Sequence, residues 1–320
     1  MENRLSVVMY HYTRDLKKSE YPKIKGLDVT EFREQLEFFK ENFNVVTMEE
    51  VIDCCNSDKK LPSNALILTF DDGYIDNFNV AFPILQEFGF QGSFFIPGKT
   101  FTENKLLDVN KIHFILASSN NVKEVMDDLI QELKKAREEG HNLLSNEELI
   151  DKYAVSNRFD DKETIFIKRV LQTAIPEHLR NEIASSLFTK YVGLSEEEFS
   201  KNLYMNREQI KLMKNKGMFI GLHGYDHYWL GELPEEEMKS DIDKMLNIME
   251  EFIDMDSWVL NYPYGNYSDE VISYISQKGC KLGMTTEVGF ADLNYHNKFK
   301  IPRFDCNDFP PKSNKYKESI

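Results

Sequence analysis

The stretch Ala65-Leu66-Ile67-Leu68-Thr69-Phe70-Asp71-Asp72-Gly73-Tyr74 places the tightest limit on how this chain can fold. An apolar run leads straight into two adjacent carboxylates and a glycine, after which Ile75, Phe78, Val80, Ala81, Ile84 and Leu85 recur at roughly helical spacing. That is the pattern of a buried parallel strand, a sharp turn and a helix. Asp71 and Asp72 are therefore expected at the carboxyl end of a strand, where open α/β sheets and β/α barrels keep their sites. Adjacent carboxylates repel each other and are costly to desolvate, so the pair calls for a cation or a proton; a solvated Asp-Asp-Gly turn is the alternative.

Leu222-His223-Gly224-Tyr225-Asp226-His227 follows the short apolar run Met218-Phe219-Ile220. Two imidazoles at this spacing can converge on one ion if the segment is a helical turn or a tight loop leaving a strand. Imidazole with carboxylate is a zinc-type donor set. A single histidine would more often be a satisfied structural one. A pair just after a strand, with a carboxylate pair at an equivalent strand end, points to metal binding.

At this point the residues resemble a known family. Thr69-Phe70-Asp71-Asp72-Gly73-Tyr74, then His223 with His227, then Pro263-Tyr264-Gly265 are similar, in the same order, to motifs of the polysaccharide deacetylases, which remove N- or O-acetyl groups from sugars. The resemblance spans residues 5 to 100 and 206 to about 305, and Met9-Tyr10-His11 resembles the opening of the poly-N-acetylglucosamine deacetylase branch. It implies a distorted (β/α) barrel and one divalent metal held by Asp72, His223 and His227, usually Zn2+, with Co2+, Ni2+ or Mn2+ as alternatives. It further implies that Asp71 is the general base and that the backbone N–H of Tyr264 helps bind an oxyanion or acetate. Tyr74, Tyr225 and Trp229 are candidates to stack on sugar faces, with core or rim packing as the alternative.

The chemistry suits those residue types. An amide is a poor electrophile, so its hydrolysis needs an activated water and a stabilised oxyanion. A metal with three protein ligands and an open position provides both. A neighbouring carboxylate that does not ligate the metal can take the water's proton.

Strand and helix alternate from Leu5 to Ile96, which predicts a parallel sheet. The expected elements are a strand at Leu5–Tyr10, a helix at Val29–Phe43 capped by Asp28 or Thr30, a capping box at Thr47, and a strand at Gly92–Ile96. From about Thr102 to Tyr204 the pattern turns helical, and alternation resumes at Asn206, with a last strand expected at Phe299–Phe304. The chain is thus divided into a first barrel part (1–101), a helical insertion (102–205), a second barrel part (206–310) and a loose polar tail (311–320). The insertion leaves the top of a barrel strand, where β/α loops shape sites, so it reads as a lid or specificity cap, or else as a structural or dimer-forming elaboration. His113, His141 and His178 within it read as ordinary surface or boundary residues.

Two departures from the family pattern bear on mechanism. Asn261 stands where the family often carries an arginine that orients the base, and Arg303, at the end of the last expected strand, is the candidate to supply that charge. The family's C-terminal Leu-His motif, whose histidine protonates the leaving amine, is not recognisable. His11 is the preferred substitute if the first and last strands are neighbours, and His296 is the other candidate.

A formal net charge of -15 argues against nucleic acid or an anionic membrane surface as the main partner. Cys54 and Cys55 are adjacent and Cys280 and Cys306 isolated, so neither a disulfide framework nor a cysteine zinc site is indicated. The apolar run at the N-terminus is too short for a signal peptide, and no segment approaches the ~20 apolar residues of a transmembrane span, which suggests a cytoplasmic protein. These readings converge on a metal-dependent carbohydrate N-deacetylase acting on an acetylated sugar, nucleotide sugar or lipid-linked glycan. The rivals are an amidohydrolase of the same fold acting on a formyl or non-sugar amide, and a sugar-binding protein without turnover.

Overall fold

The computed structural model describes residues 4–57, 59–156 and 160–319. These fall into two compact units, one built from Met1–Asp15, Gly26–Glu103 and Leu203–Ile320, the other from Leu16–Lys25 and Asn104–Asn202.

The first unit is a curled, mainly parallel sheet wrapped by helices. Its elements are β1 (Arg4–Tyr10), α1 (Val29–Asn42), α2 (Met48–Asn56), β2 (Ala65–Phe70), α3 (Phe82–Phe88) and β3 (Gly92–Ile96), then α10 (Arg207–Asn215), β4 (Phe219–Leu222), α11 (Glu235–Met249), β5 (Trp258–Asn261), α12 (Asp269–Gln277), β6 (Cys280–Met284) and β7 (Phe304–Asp305). Strands β1 to β6 lie side by side in chain order, each parallel to the next. The sheet then curls back on itself: Ile301 pairs with Met284 of β6, and β7 pairs in parallel with Val8 and Met9 of β1. This is the expected distorted (β/α) barrel, with the first and last strands adjacent.

The helix starts follow local chemistry. The Asp28 side chain accepts from Thr30 N–H to cap α1, and Thr47 with Glu50 forms the capping box of α2. Asn206 with Gln209 does the same for α10. The helix expected from Ile75 opens as a π-helical turn at Asn77–Ala81, and Pro83, which has no N–H to donate, lies at the start of α3 where regular α-helix begins. The strand expected at Phe299–Phe304 is broken into the single Ile301 bridge and the two residues of β7. Pro302 offers the ladder no donor, and Arg303 N–H turns to Glu287 O instead.

Side-chain alternation along the strands separates two cores. Tyr10, Phe70 and Phe94 are register partners on the helix-facing side and stack in a row, with ring centroids 4.8 and 4.7 Å apart. Leu5, Val7, Ile67, Phe95, Val259 and Leu282 fill the inside of the curl. Continuing the inner alternation past the strand ends brings in Asp71 after Thr69, His223 after Gly221, Asn261 after Val259 and Arg303 after Ile301. The hydrophobic period thus aims these four positions at one place.

Gly221 is part of this arrangement. A Cβ there would lie 2.3 Å from Cε1 of Phe95, its register partner on β3. Gly221→Ala is expected to cost about 1–3 kcal/mol of stability through overpacking, read as a lower urea midpoint with an unchanged m-value.

In the second unit, α4 (Asp108–Ser118), α5 (Val122–Glu138), α6 (Asn146–Tyr153), α7 (Lys162–Arg169), α8 (Glu177–Val192) and α9 (Glu196–Leu203, whose last residue belongs to the first unit) pack around Phe114, Phe188 and Phe199. Helix α4 had no counterpart in the sequence reading. It carries the buried Lys111, which is held by Asp108, Glu196 and Ser185. His113 is half-buried and His178 exposed, and the rings of His141 and His178 lie 5.4 Å apart.

The C-terminal residues, read from their polarity as a loose tail, include a 3-10 turn at Lys315–Ser319 whose Tyr316 is buried and stacked on Phe309. The four cysteines are free thiols. Among the described residues, no helix is long and apolar enough to cross a membrane.

Candidate metal centre and active site

Each site residue leaves the carboxyl end of a strand. Asp71 and Asp72 follow β2, and the turn they enter places Asp72 and Gly73 in the left-handed region, at φ 69° and 68°. Glycine is needed at the second position, where a Cβ would lie 2.9 Å from Ile96 Cγ2. His223 follows β4 directly, and the loop after it closes with His227 at φ 60°. Asn261 ends β5.

Asp72, His223 and His227 converge. Asp72 Oδ1 lies 3.4 Å from Nε2 of each histidine, and the two Nε2 atoms are 3.2 Å apart. Three ligands about 2.0–2.1 Å from one tetrahedral cation stand ~3.3 Å from one another, so the triangle has the size such an ion requires. All three side chains are buried, and Asp72 Oδ1 receives no hydrogen bond from the described residues. The residues therefore fit a divalent cation, and this is the one such cluster among the described residues.

Further contacts orient the ligands. The carbonyl of Asn261 lies 2.8 Å from His223 Nδ1, which fixes that nitrogen as the donor and leaves Nε2 with its lone pair toward the cluster. Tyr74 hydroxyl donates to Asp72 Oδ2 at 2.5 Å. Burial raises the Asp72 carboxyl, but the two histidines outweigh it and hold it well below the usual carboxylate range. Burial pushes the His227 imidazole down, toward its neutral, ligating form, whereas Asp71 and Asp72 pull His223 up against the effect of burial.

Asp71 does not join the triangle. Its Oδ1 accepts from Asn261 Nδ2 at 2.7 Å and Arg303 Nη1 at 3.0 Å, and its Oδ2 lies 2.8 Å from the same guanidinium nitrogen. Arg303 is itself buried and anchored by Nε donating to the carbonyl of Thr285 at 2.8 Å. Burial raises the Asp71 carboxyl, yet Arg303, His223 and His11 together hold it below the ordinary value. A buried aspartate kept ionised beside a cation site can accept a proton.

The remaining candidates separate clearly. His11 is half-buried at the mouth end of β1, and its charge bears on both Asp71 and Asp72. His296 is exposed and bonded to Asp292, which pairs with Arg4 at the opposite end of β1, roughly 20 Å along the strand from Tyr10. Tyr264, at φ 58°, sets its ring edge against His227 at 4.6 Å and stacks on Trp229 at 4.8 Å, both aromatics being half-buried.

Two sugar-stacking candidates are corrected. Tyr74 is fully buried, its ring stacked on Tyr12 at 4.0 Å and its hydroxyl spent on Asp72, so it supports a ligand and offers no platform. Tyr225 is also buried, with its ring under Lys244 Nζ at 3.4 Å and its hydroxyl bonded to Glu103. The sequence reading missed Tyr12 and Asp241. The signal for Asp241 was a lone carboxylate on the apolar stripe Met238, Ile242 and Met245 of α11.

Fold and cluster define a β/α barrel in which three clustered side chains that could hold a divalent cation lie beside a buried carboxylate. Comparison with known proteins agrees. The polysaccharide deacetylase family profile matches residues 58–145 and 155–283. A Bacillus subtilis (strain 168) protein, YxkH, assigned as a polysaccharide deacetylase, is 19% identical over 90% of this chain and 66% of its own length. The poly-beta-1,6-N-acetyl-D-glucosamine N-deacetylase of Escherichia coli (strain K12) is 30% identical over 27% of the chain and 13% of its own length. The chain thus spans less than two thirds of either relative.

Among solved structures, the Streptococcus pyogenes deacetylase PplD, in complex with acetate, superposes with a TM-score of 0.61 at 16% identity, covering 100% of this chain and 99% of its own. IcaB from Ammonifex degensii gives 0.55 at 19% identity, covering 94% and 91%. This chain belongs to the polysaccharide deacetylase family. The resemblance drawn from its motifs, and the barrel that resemblance implied, are both borne out.

Proposed function

We propose that the chain is a metal-dependent hydrolase that removes an N-acetyl group from a sugar or glycan. The observation that carries this reading is the pairing of the Asp72, His223 and His227 triangle with a separate, ionised Asp71 clamped by Arg303 and Asn261.

A divalent cation bound by the triangle supplies Lewis acidity to a water and to the acyl carbonyl. Asp71 takes the proton of the attacking water, with Arg303 and Asn261 fixing the direction of its lone pairs. Arg303 thereby fills the role that the resemblance assigned to an arginine at position 261. The backbone N–H of Tyr264, a residue in the left-handed region, meets the negative charge that develops on the carbonyl oxygen. His11 hands a proton to the departing amine. Zn2+ suits a donor set of two imidazoles and one carboxylate. The substrate is an N-acetylated sugar, carried as a nucleotide sugar, a lipid-linked glycan or a polymer.

The test is acetate release from a panel of N-acetylated sugars, nucleotide sugars and short oligomers, with zinc or cobalt restored after chelation. Metal-dependent release supports the reading. With N-formylated counterparts added to the panel, release of formate from those members and of no acetate would point to a formamide substrate, and metal binding with no release from any member would favour the non-catalytic sugar binder.

Arg303→Met provides a check on the clamp. With the guanidinium gone, the Asp71 carboxyl loses the neighbour that holds it down, so its pKa rises. The acid limb of the kcat/KM profile should then move to higher pH, with the plateau falling by about tenfold or more. An acid limb in its original place would remove Arg303 from the mechanism.

A further inference from the structure

The loop between the two histidines has an unusual support. Gly224 and His227 both lie in the left-handed region, at φ 70° and 60°, and the backbone between them is gripped from two sides. Gly98 and Lys99 N–H donate to the carbonyls of Gly224 and Tyr225 at 3.1 and 3.0 Å. On the other side Asp241, from the buried face of α11, accepts from Tyr225 N–H with Oδ1 and from Asp226 N–H with Oδ2, both at 2.9 Å.

A carboxylate among Met238, Ile242 and Met245 is costly to bury, and burial pushes the Asp241 carboxyl up to about 6 even though the two amide bonds favour its ionised form. The fold tolerates this where an apolar residue would have packed. The histidines themselves suggest what is gained. His223 is oriented through Nδ1 by the Asn261 carbonyl, but the buried His227 Nδ1 has no hydrogen-bond partner among the described residues. Apart from the Tyr264 and His223 rings against it and the Asp72 carboxylate beside its Nε2, the placing of His227 falls to the backbone that carries it.

We propose that Asp241 is a positioning residue of the metal centre: its two oxygens fix the peptide units between His223 and His227 so that both Nε2 atoms reach one cation. This rests on the metal-site reading above and adds the residue that shapes the site from outside it. Asp241 touches neither substrate nor ion, and acts through the loop.

The experiment is competition titration of the full chain with zinc against a chromophoric chelator, together with the visible spectrum of the cobalt-loaded protein. In Asp241→Asn one acceptor is replaced by an NH2 group facing an amide donor. Zinc affinity should fall 10–100-fold, the range for outer-shell partners of metal ligands, and the cobalt spectrum should change. Asp241→Glu keeps both oxygens and should retain more affinity than the Asn variant. Asp243→Asn is the control on the same helix: its carboxylate pairs at the surface with Lys278 and Tyr274, so both readouts should match the parent.

Zinc affinity of the Asn variant within twofold of the parent overturns the proposal, whatever happens to its melting temperature. If the Asn variant does not fold, the Glu variant decides, because its extra methylene displaces the loop. Weakened affinity with a shifted cobalt spectrum supports the proposal, and parent values on both overturn it. A parent chain that binds no zinc would sink this inference and the metal reading together, whereas a zinc-binding parent with an indifferent Asp241 would sink this one alone.

Discussion

Asp71→Asn should reduce kcat by about a thousandfold or more while leaving zinc affinity within a few-fold of the parent. The change is isosteric and removes only the ability to take a proton, and general base catalysis is worth roughly 10²–10⁴-fold. Asp71 is not one of the three residues Asp72, His223 and His227 that would hold the metal, so the donor set is unchanged. The same substitution carries a second expected result, in stability. Arg303 is 1% exposed and is paired with Asp71, so the Asn variant removes the counter-charge of a buried guanidinium. Breaking one side of a buried pair costs about 3–5 kcal/mol. The double variant Asp71→Asn with Arg303→Met removes both charges, so it should recover much of the lost stability and none of the activity. Denaturant melts of the three proteins beside acetate release check both halves. Substantial turnover by a folded, zinc-loaded Asn variant would remove Asp71 from the role of base.

Loss of metal binding is the second large effect. His223→Ala deletes one corner of the triangle and should abolish stoichiometric zinc, and with it both turnover and the stabilisation that zinc confers. A ligand that binds only the folded state at a hundred times its Kd stabilises by about 2.7 kcal/mol, so the parent should melt higher in zinc than after chelation. The variant should melt at one temperature in both conditions. Metal analysis of the dialysed proteins gives the stoichiometry. A variant that still binds one zinc per chain, with its melting temperature still raised by the metal, would show that the ion sits elsewhere.

Much of the site was legible because strand ends concentrate chemistry. The apolar run Ala65 to Phe70 reads as a buried strand, and its length puts Asp71 and Asp72 at the strand's end. His223 and His227 were legible for the same reason. Arg303 was a weaker signal, since its partner Asp71 lies 232 positions earlier in the chain and nothing local marks the pair. Tyr74 and Tyr225 were misread because an aromatic residue beside a motif has the same local signature whether it faces a sugar or the core. Only packing against Tyr12 and Lys244 distinguishes the two.

Local physics therefore settled the elements of this protein: hydrophobic period, helix caps and the turn after β2 depend on near neighbours in the chain. It also placed the chemically loaded residues at strand ends, because alternation and burial allow few other arrangements. What only the tertiary structure decided is which of those residues meet. The curl of the sheet brings Arg303 of the last segment to Asp71, excludes His296 by leaving it at the opposite end of β1, and lowers α11 onto the histidine loop so that Asp241 receives two of its amides. Such contacts join positions distant in sequence, and their energies depend on burial and geometry that no window of neighbouring residues contains.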